Sequence, residues 1–214
     1  MTYIELVNNV LRRMREEQVA NVTETTFSTM VGDFVNDAKE LIETAWDWSA
    51  LRQTLIVPTV QDVLSYSLVG SQDNLKVLDI INDTSNFFVE YAPQAWFRNL
   101  YYNNPIPSST PNYYTFNGVD ANGDTQIDVY PKPDGVYSLR VTAVIRKGLL
   151  VNNEDRLYIP STPVIHLANA LLARERGETG GTSTAEYFAI ADKYLSDAIA
   201  LDAAKHPEET VWYS

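Results

Sequence analysis

The sequence contains no cysteine, only two histidines and no apolar run near the length of a membrane-spanning helix. Without thiols, the chain cannot form disulfides, thiolate zinc sites or a cysteine nucleophile. The two histidines, His166 and His206, lie far apart in the sequence, which argues against a two-histidine metal site. A bilayer span takes roughly 20 consecutive apolar residues, and no such segment is present. We therefore predict no metal, no cofactor and no membrane partner.

Basic residues are also scarce, with 16 Lys and Arg against 28 Asp and Glu and a formal net charge of −12. A general DNA-binding protein needs clustered basic side chains that contact phosphates, so this balance argues against one. The first residues form an amphipathic pattern and not a basic segment followed by an apolar one, so we expect no signal peptide. With 214 residues, of which 45% are hydrophobic, we expect one sizeable domain or one domain with an insert.

Apolar residues at helical spacing predict two helices near the start of the chain. The first covers residues 3 to 17 and starts with a capping box at Thr2. The second covers residues 27 to 45 and carries a wide apolar stripe, which suits a helix packed on more than one neighbour. It ends at Trp46 and Trp48, which indicates that this end lies in a core.

Helical spacing returns near the end of the chain. One helix is predicted over residues 161 to 177, where Gly177 ends it. The stretch from 177 to 184 lacks the lysine of a phosphate-binding loop and is interpreted as a connector. Ser183 then starts a second capping box, and the last helix ends before Pro207. Its apolar stripe consists of Tyr187, Ala191, Tyr194, Ala198 and Leu201.

Between the helices, apolar and polar residues alternate with the two-residue period of strands. The predicted strands cover residues 51–58, 63–69, 75–82, 112–117, 125–130 and 137–147. Pro133-Asp134-Gly135 predicts a hairpin turn between the last two strands. A short helix is predicted over residues 92 to 102, and residues 103 to 111 read as an exposed loop.

These elements predict an α+β fold, with an α-helical bundle formed by N- and C-terminal helices and an inserted antiparallel β-sheet region. The bundle is expected over residues 1–50 and 160–205. The β-rich insert is expected over residues 51–159. Residues 206–214 form a C-terminal tail.

Candidate motifs for a metal or for catalysis are weak. Asp120, Asn122, Asp124 and Asp128 resemble part of a calcium loop, but Thr125 and Pro131 stand where an EF-hand needs Gly and Glu. An ordinary β-turn explains the same residues. No Gly-x-Ser-x-Gly motif is present. His166 lies in an apolar helical stripe, where a core or interface role explains it better than general-base chemistry.

Aromatic side chains cluster in sequence around the Pro-rich loop and form the first candidate site. The set consists of Trp96, Phe97, Tyr101, Tyr102, Tyr113, Tyr114 and Phe116. Such a cluster is typical of a subunit interface, a glycan-binding platform or a local mini-core. A glycan platform with a pair of carboxylates would make a glycan-binding protein or a glycoside hydrolase, because the carboxylate spacing is a spatial property that sequence leaves open.

The tail is the second candidate site. It carries Val211, Trp212 and Tyr213 beyond a proline that ends the helix, and it is too short to form its own core. Trp and Tyr are frequent interface anchors, so we predict that these residues dock into a partner. Folding back onto the same subunit is the alternative.

A succession of short motifs along the chain resembles a known family. The motifs are Glu5 to Leu11 (ELVNNVL), the helix end at Trp46 to Trp48, Gln126 to Lys132 (QIDVYPK), the Pro-Asp-Gly turn, the strand from Tyr137 to Lys147, Gly148-Leu149-Leu150, Asn153-Glu154-Asp155, and Leu157-Tyr158-Ile159-Pro160 ahead of the helix with His166. Together they resemble the head-to-tail adaptor proteins of short-tailed bacteriophages, including those called tail tubular protein A. The resemblance covers most of the chain.

The resemblance implies a structural protein and not an enzyme. It implies a ring homo-oligomer, commonly a dodecamer, between the portal protein and the tail nozzle protein. The virion tail at the head–tail junction is its implied location, after synthesis in the host cytoplasm. The ring would line the channel through which DNA leaves, and in relatives the C-terminal segment reaches toward the portal.

The distribution of charge agrees with a channel that DNA passes through without specific binding. Residues 18 to 51 carry six acids and one base, Lys39, for a net charge of −5 (6 acids minus 1 base). The acids are Glu24, Asp33, Asp37, Glu40, Glu43 and Asp47. A ring repeats this charge in every subunit, and an acidic wall repels phosphate. Arg12, Arg13 and Arg15 are candidates for pairing with an acidic neighbour.

Overall fold

Helices lie at both ends of the chain and strands between them, in a computed structural model that describes residues 1–71, 74–103, 105–177 and 184–206. The helices are α1 (Tyr3–Arg13), α2 (Thr26–Ala45), α3 (Gln94–Asn103), α4 (Ser161–Arg176) and α5 (Thr184–Ala203). The strands are β1 (Arg52–Pro58), β2 (Ser65–Ser67), β3 (Leu75–Asn82), β4 (Phe87–Phe88), β5 (Glu90–Tyr91), β6 (Tyr113–Val119), β7 (Thr125–Tyr130) and β8 (Ser138–Ile145). This content confirms the α+β class. The chain divides into a helical unit, residues 1–51 and 147 onward, and a β unit, residues 52–146.

Helix α1 starts as predicted and ends early. Its capping box forms because Thr2 N donates to Glu5 Oε2 at 2.8 Å and Glu5 N donates to Thr2 Oγ1 at 3.4 Å. The predicted end at residue 17 is wrong, since the helix ends at Arg13. Arg15 adopts a left-handed backbone with φ of 60°, a conformation that closes helices and cannot continue them.

Helix α4 is the central helix of the helical unit, because it packs against α1, α2 and α5. Its apolar stripe is buried: Val164, Ile165, Ala168, Leu171 and Leu172. It ends, as predicted, at Gly177, whose φ of 62° lies in the left-handed region that favours glycine. Trp48, at the end of α2, is also buried as predicted, and its Nε1 donates to the Ile42 carbonyl at 2.8 Å.

Residues 147–159 lie in the helical unit. The sequence had predicted that they belong to the β-rich insert. Their backbone groups pair with the N-terminal helices. Tyr3 N donates to the Asp155 carbonyl at 2.8 Å. Asn36, buried on α2, accepts from Leu150 N at 2.9 Å and donates to the Leu150 carbonyl at 3.0 Å. Buried backbone groups need such partners, so this segment is held by α1 and α2.

The β unit contains two four-stranded sheets, ordered β1-β8-β3-β4 and β2-β7-β6-β5. Pairing is antiparallel except between β5 and β6, which are parallel. The apolar side chains of both sheets share one core, with Val57, Leu139 and Val141 from the first and Tyr66, Ile127 and Val129 from the second. The alternation along β8 is confirmed, since Leu139, Val141, Ala143 and Ile145 are buried. Period-two patterns thus predicted six of the strands, but they missed the two-residue strands β4 and β5 and the division between two sheets.

The hairpin predicted at Pro133-Asp134-Gly135 is wrong. The flanking strands β7 and β8 belong to different sheets, so the segment crosses from one sheet to the other. Two causes are visible. Pro131 and Pro133 have no N–H to extend the ladder. The intervening Lys132 pairs elsewhere, donating from its N to the Pro107 carbonyl at 3.0 Å and accepting from Ser109 N at 2.8 Å.

The predicted apolar stripe of α5 departs from its buried face at the end. Ala191 and Asp202 are buried, whereas Leu201 is 73% exposed. The buried face therefore ends on an acid, and Leu201 lies outside it. Ser183 of the predicted capping box and the connector 178–183 lie outside the described residues. None of the helices in the described ranges is long and apolar enough to cross a membrane.

Candidate functional site

The predicted aromatic cluster is a packed group of rings in the β unit, between α3 and the strands β6 and β7. The Trp96 ring centroid lies 4.9 Å from that of Tyr113 and 5.6 Å from that of Tyr130. Phe97 is fully buried and contacts Tyr101 at 5.9 Å. Edge-on arrangements at these distances are typical of aromatic cores. The centre of the cluster is therefore a mini-core.

Some of the aromatic rings remain accessible to a partner. Trp96 is 37% exposed, and Tyr102 is 88% exposed. Tyr114 is buried and pairs with the exposed Tyr91 at 5.7 Å. Tyr101 and Tyr102 thus differ, since Tyr101 packs inward and Tyr102 faces solvent. We call Trp96 and Tyr102 the outer aromatic rings. They offer the kind of surface that protein interfaces use.

Burial alters the acidity of two tyrosines in this cluster. It raises the pKa of Tyr101 to about 12, with the charges of Asp128 and Tyr130 adding to the effect. It also raises the pKa of Tyr114. Raised values keep both hydroxyls neutral near pH 7, so neither ring supplies a charged nucleophile or base.

A hydrogen-bonded corner joins the end of α5 to the turn after α2. Asp202 Oδ2 accepts from Trp46 Nε1 at 3.2 Å and from Ser49 N at 2.8 Å. Its other oxygen, Oδ1, accepts from Ser49 Oγ at 2.6 Å and from Lys205 Nζ at 2.9 Å. Burial raises the pKa of Asp202, but the bonds from Ser49 and Lys205 and the Lys205 charge outweigh it and lower the pKa to about 2. The carboxylate thus stays charged and fixes the end of α5.

Beside this corner lies an open groove of about 470 Å³ between the start of α4 and the second half of α5. We call it the α4–α5 groove. Its apolar lining consists of Pro160, Pro163, Tyr194, Ala198 and Leu201. Tyr194 is also stacked on His166, with ring centroids 4.3 Å apart and an angle of 19°.

His166 is a contact residue between α4 and α5 in the described chain. Burial lowers its pKa, and the positive charge of Arg13 lowers it further. This placement agrees with the core or interface role that the sequence predicted.

The acidic segment before β1 divides into a buried and an exposed part. Lys39 and Glu43 are buried, with side-chain exposures of 1% and 2%, and form an ion pair of 3.1 Å. Lys39 Nζ also donates to the Lys147 carbonyl at 2.7 Å. The exposed face of α2 holds Asp33, Asp37 and Glu40, and the only basic residue of α2 is the buried Lys39. Glu43 therefore cannot line a channel, whereas these three acids are accessible.

The Asp120–Asp128 segment is a turn and a strand whose oxygens are engaged by the protein. Asp120 Oδ1 accepts from Asn122 N at 2.8 Å and from Asp124 N at 3.0 Å. Hydrogen bonds, first that of Ser67 and then those of the turn backbone, lower the pKa of Asp120. Asp128 Oδ1 accepts from Ser65 Oγ at 2.6 Å. Among the described residues, no group of three or more His, Asp or Glu side chains could hold a metal ion.

Sequence reasoning missed the Asp202 corner and the Lys39–Glu43 pair. Both involve charged side chains on apolar helix faces, which is the signal that could have indicated them. The predicted docking residues Val211, Trp212 and Tyr213 lie outside the described residues.

The chain matches a known protein family. The model of the SU10 adaptor protein family matches residues 1–210, nearly the whole chain. The chain belongs to this family. The resemblance to phage head-to-tail adaptors is therefore confirmed, and the SU10 adaptor family makes this chain a structural adaptor component of a phage virion. No curated protein matches the adaptor.

Membership in the SU10 adaptor family implies that this protein contacts other proteins of a phage virion. An adaptor associates with portal and tail components of its phage. The accessible surfaces, which are the outer aromatic rings, the α4–α5 groove and the acidic face of α2, are therefore candidates for contacts with other chains.

Proposed function

We propose that the adaptor forms a ring, a dodecamer, between the portal protein and the tail nozzle protein of its phage, and that the ring surrounds the DNA exit channel. The match of nearly the whole chain to the SU10 adaptor protein family carries this proposal. The bundle of N- and C-terminal helices would form the body of each subunit, with the β-rich insert as an attached unit. The ring belongs to the virion tail and assembles after synthesis in the host cytoplasm.

The test of the ring is assembly with the purified portal protein, followed by electron microscopy and native mass spectrometry. We expect a closed ring of twelve adaptors on the portal. Subunits of a ring can stay separate until they meet their partner, so the oligomeric state of the isolated protein does not decide the question. An adaptor that stays monomeric and ignores its portal at high concentration would overturn the proposal.

The exposed acids of α2 support a channel wall that does not bind DNA. Asp33, Asp37 and Glu40 share one exposed helix face, and a ring would repeat their charge in every subunit. Asp33→Lys with Asp37→Lys should make assembled rings retain duplex DNA at low salt. The matched control is Glu186→Lys with Asp192→Lys, which makes the same charge change on exposed positions of α5. Equal DNA retention by both variants would show that α2 does not face the channel.

Residues Val211, Trp212 and Tyr213 are proposed to dock into the portal. Their composition supports this role, because Trp and Tyr are frequent anchors of interfaces. Trp212→Ala should weaken portal binding by at least about tenfold, whereas Thr210→Ala should leave it nearly unchanged. Portal binding that survives removal of residues 207–214 would refute the docking role.

The outer aromatic rings are proposed as a further contact surface of the assembly. Trp96 is covered by Tyr113 and Tyr130 on part of its surface, which favours a protein interface over an open sugar platform. Tyr102→Ser should weaken assembly without loss of stability, since this ring is exposed. Saccharide-dependent quenching of tryptophan fluorescence would instead indicate the glycan-binding alternative.

A further inference from the structure

Helix α5 is apolar on more than the face it turns toward α4. Its buried side includes Ala191 and Asp202, yet Ile190 and Leu201 are exposed and Tyr194 is 39% exposed. Ile190, Tyr194 and Leu201 follow helical spacing, so they lie along one side of the helix. A helix that is apolar on two sides usually has a second partner. The α4–α5 groove lies on this second side.

The groove has the size and chemistry to hold a large apolar side chain. Its volume of about 470 Å³ is lined by Pro163, Tyr194, Ala198 and Leu201 together with polar groups at its rim. A buried aromatic contributes strongly to such contacts because it removes a large apolar area from water.

The chain itself supplies a segment of matching chemistry next to the groove. Residues 207–214 follow His206 directly, and Lys205 already lines the groove. Among these eight residues the large apolar ones are Val211, Trp212 and Tyr213. Asp202 fixes the end of α5 through Trp46 and Ser49, so the segment leaves from a defined place.

The length of the segment is sufficient. From Lys205, Leu201 lies about 6 Å back along the helix axis and Tyr194 about 16 Å, at about 1.5 Å per residue. An extended segment from His206 to Trp212 spans up to about 20 Å, at about 3.3 Å per residue. Because it is tethered, its effective concentration at the groove reaches the millimolar range, so weak apolar contacts suffice.

We propose that residues 211–213 of the adaptor occupy the α4–α5 groove of their own chain, with Trp212 as the anchor, until a partner takes the segment. This contact would cover the apolar lining of the groove with the apolar side chains of residues 211–213, which removes a cause of aggregation. The proposal concerns the free subunit and does not depend on whether the segment later reaches the portal.

The absence of cysteine allows a direct test by disulfide trapping. Leu201→Cys with Tyr213→Cys places one thiol in the groove and one beside Trp212. The matched control is Leu41→Cys with Tyr213→Cys, since Leu41 is also exposed and lines a different groove on α2. At low micromolar protein with a mild oxidant, the first pair should close an intramolecular disulfide at least about tenfold faster than the control.

Other results of the trapping experiment overturn the proposal. Equal rates for the two pairs would mean that the segment has no preferred groove. Disulfide-linked dimers in place of intramolecular closure would mean that the segment docks on a neighbouring copy.

Proteolysis gives a second readout that needs no cysteine. Chymotrypsin cleaves after Trp and Tyr, and docking should protect Trp212 and Tyr213. Leu201→Asp should speed cleavage at these residues by about tenfold, the effect of losing about 1.4 kcal/mol of contact. Leu41→Asp should leave the rate unchanged. Because Leu201 is exposed, its replacement leaves the helical core intact, and an unaffected cleavage rate would refute the proposal.

Discussion

At the scale of single residues, the adaptor relies on charged groups placed where the sequence pattern expects apolar ones. Asp202 completes the buried face of α5, and Lys39 with Glu43 lies on the buried face of α2. Each is stabilised by partners that are distant in sequence, Ser49 for Asp202 and the Lys147 carbonyl for Lys39. Buried charges persist only with such partners. These residues therefore link segments of the helical unit that are distant in sequence.

The depressed pKa of Asp202 predicts an acid-dependent loss of stability. Its pKa of about 2 is below the ordinary 3.8, so its ionised form stabilises the fold above pH 4. This contribution, about 2 kcal/mol, is lost as pH falls through 2. Asp202→Asn should therefore be less stable than the parent at pH 7, and the difference should vanish near pH 2.

The measurement for Asp202 is denaturant unfolding across this pH range, with Asp197→Asn as the control on an exposed acid of the same helix. We expect the control to differ little from the parent at every pH. A stability difference for Asp202→Asn that stays constant with pH would contradict the role of its charge.

Lys39 and Glu43 predict a strongly non-additive pair of substitutions. Lys39→Met removes the cation beside a buried carboxylate, which costs about 3–5 kcal/mol in such sites. Lys39→Met with Glu43→Leu removes both charges and should recover most of that loss, as measured by thermal and denaturant unfolding. Two variants of equal instability would show that packing of the Lys39 stem, and not its charge, is what matters.

At the scale of elements, the contact of α1 with α2 depends on a position without a side chain. Gly32 is buried on α2, and an added Cβ there would overlap the Tyr3 hydroxyl and come within 2.8 Å of Val22 Cγ1. Tyr3 has little freedom to move, because it is buried and its hydroxyl accepts from Asn36 at 3.3 Å. The close approach of these two helices therefore requires glycine.

Gly32→Ala should destabilise the adaptor by about 1–3 kcal/mol through overpacking. The intrinsic helix preference of alanine acts in the opposite direction, so a loss of stability would isolate the steric effect. Gly135→Ala is the control, since nothing lies within 4 Å of a Cβ added there and its φ is not left-handed. Calorimetry that finds Gly32→Ala as stable as the parent would contradict the close contact.

The same scale shows what the sequence could and could not predict. Strand and helix patterns are local, so α2, α3, α4 and β8 lie close to where periodicity placed them. The end of α1 was missed because Arg15, and not glycine, adopts the left-handed conformation. The crossing between sheets was missed because pairing partners such as Lys132 and Pro107 are remote in sequence. The candidate sites were predictable by residue type, but the difference in burial between Tyr101 and the exposed Tyr102 depends on the folded structure.

At the scale of the whole molecule, the two units carry different candidate contact surfaces. The helical unit carries the acidic face of α2 and the α4–α5 groove, whereas the β unit carries the aromatic cluster. The net charge of −12 argues against a general DNA-binding protein. With Glu43 buried against Lys39, the net charge of −5 of residues 18 to 51 is carried by the other five acids of the segment. This acidic balance agrees with the proposed channel wall, because such a wall would repel DNA phosphates.

The insertion of the β unit into the helical unit predicts that the two can be separated. Arg52 at the start of β1 is the partner of Val144 near the end of β8. Partners in an antiparallel pair have Cα atoms about 5 Å apart, so the ends of the β unit are adjacent. Residues 52–146 should therefore fold alone, and a short Gly/Ser linker between Leu51 and Lys147 should preserve the helical unit. Circular dichroism, NMR dispersion and cooperative unfolding measure both outcomes. The control is a chain of residues 52–136, which lacks β8, the strand that pairs with both β1 and β3 and should be indispensable. If residues 52–146 prove as unstructured as this control, the β unit is not an autonomous insert and depends on the helices for its fold.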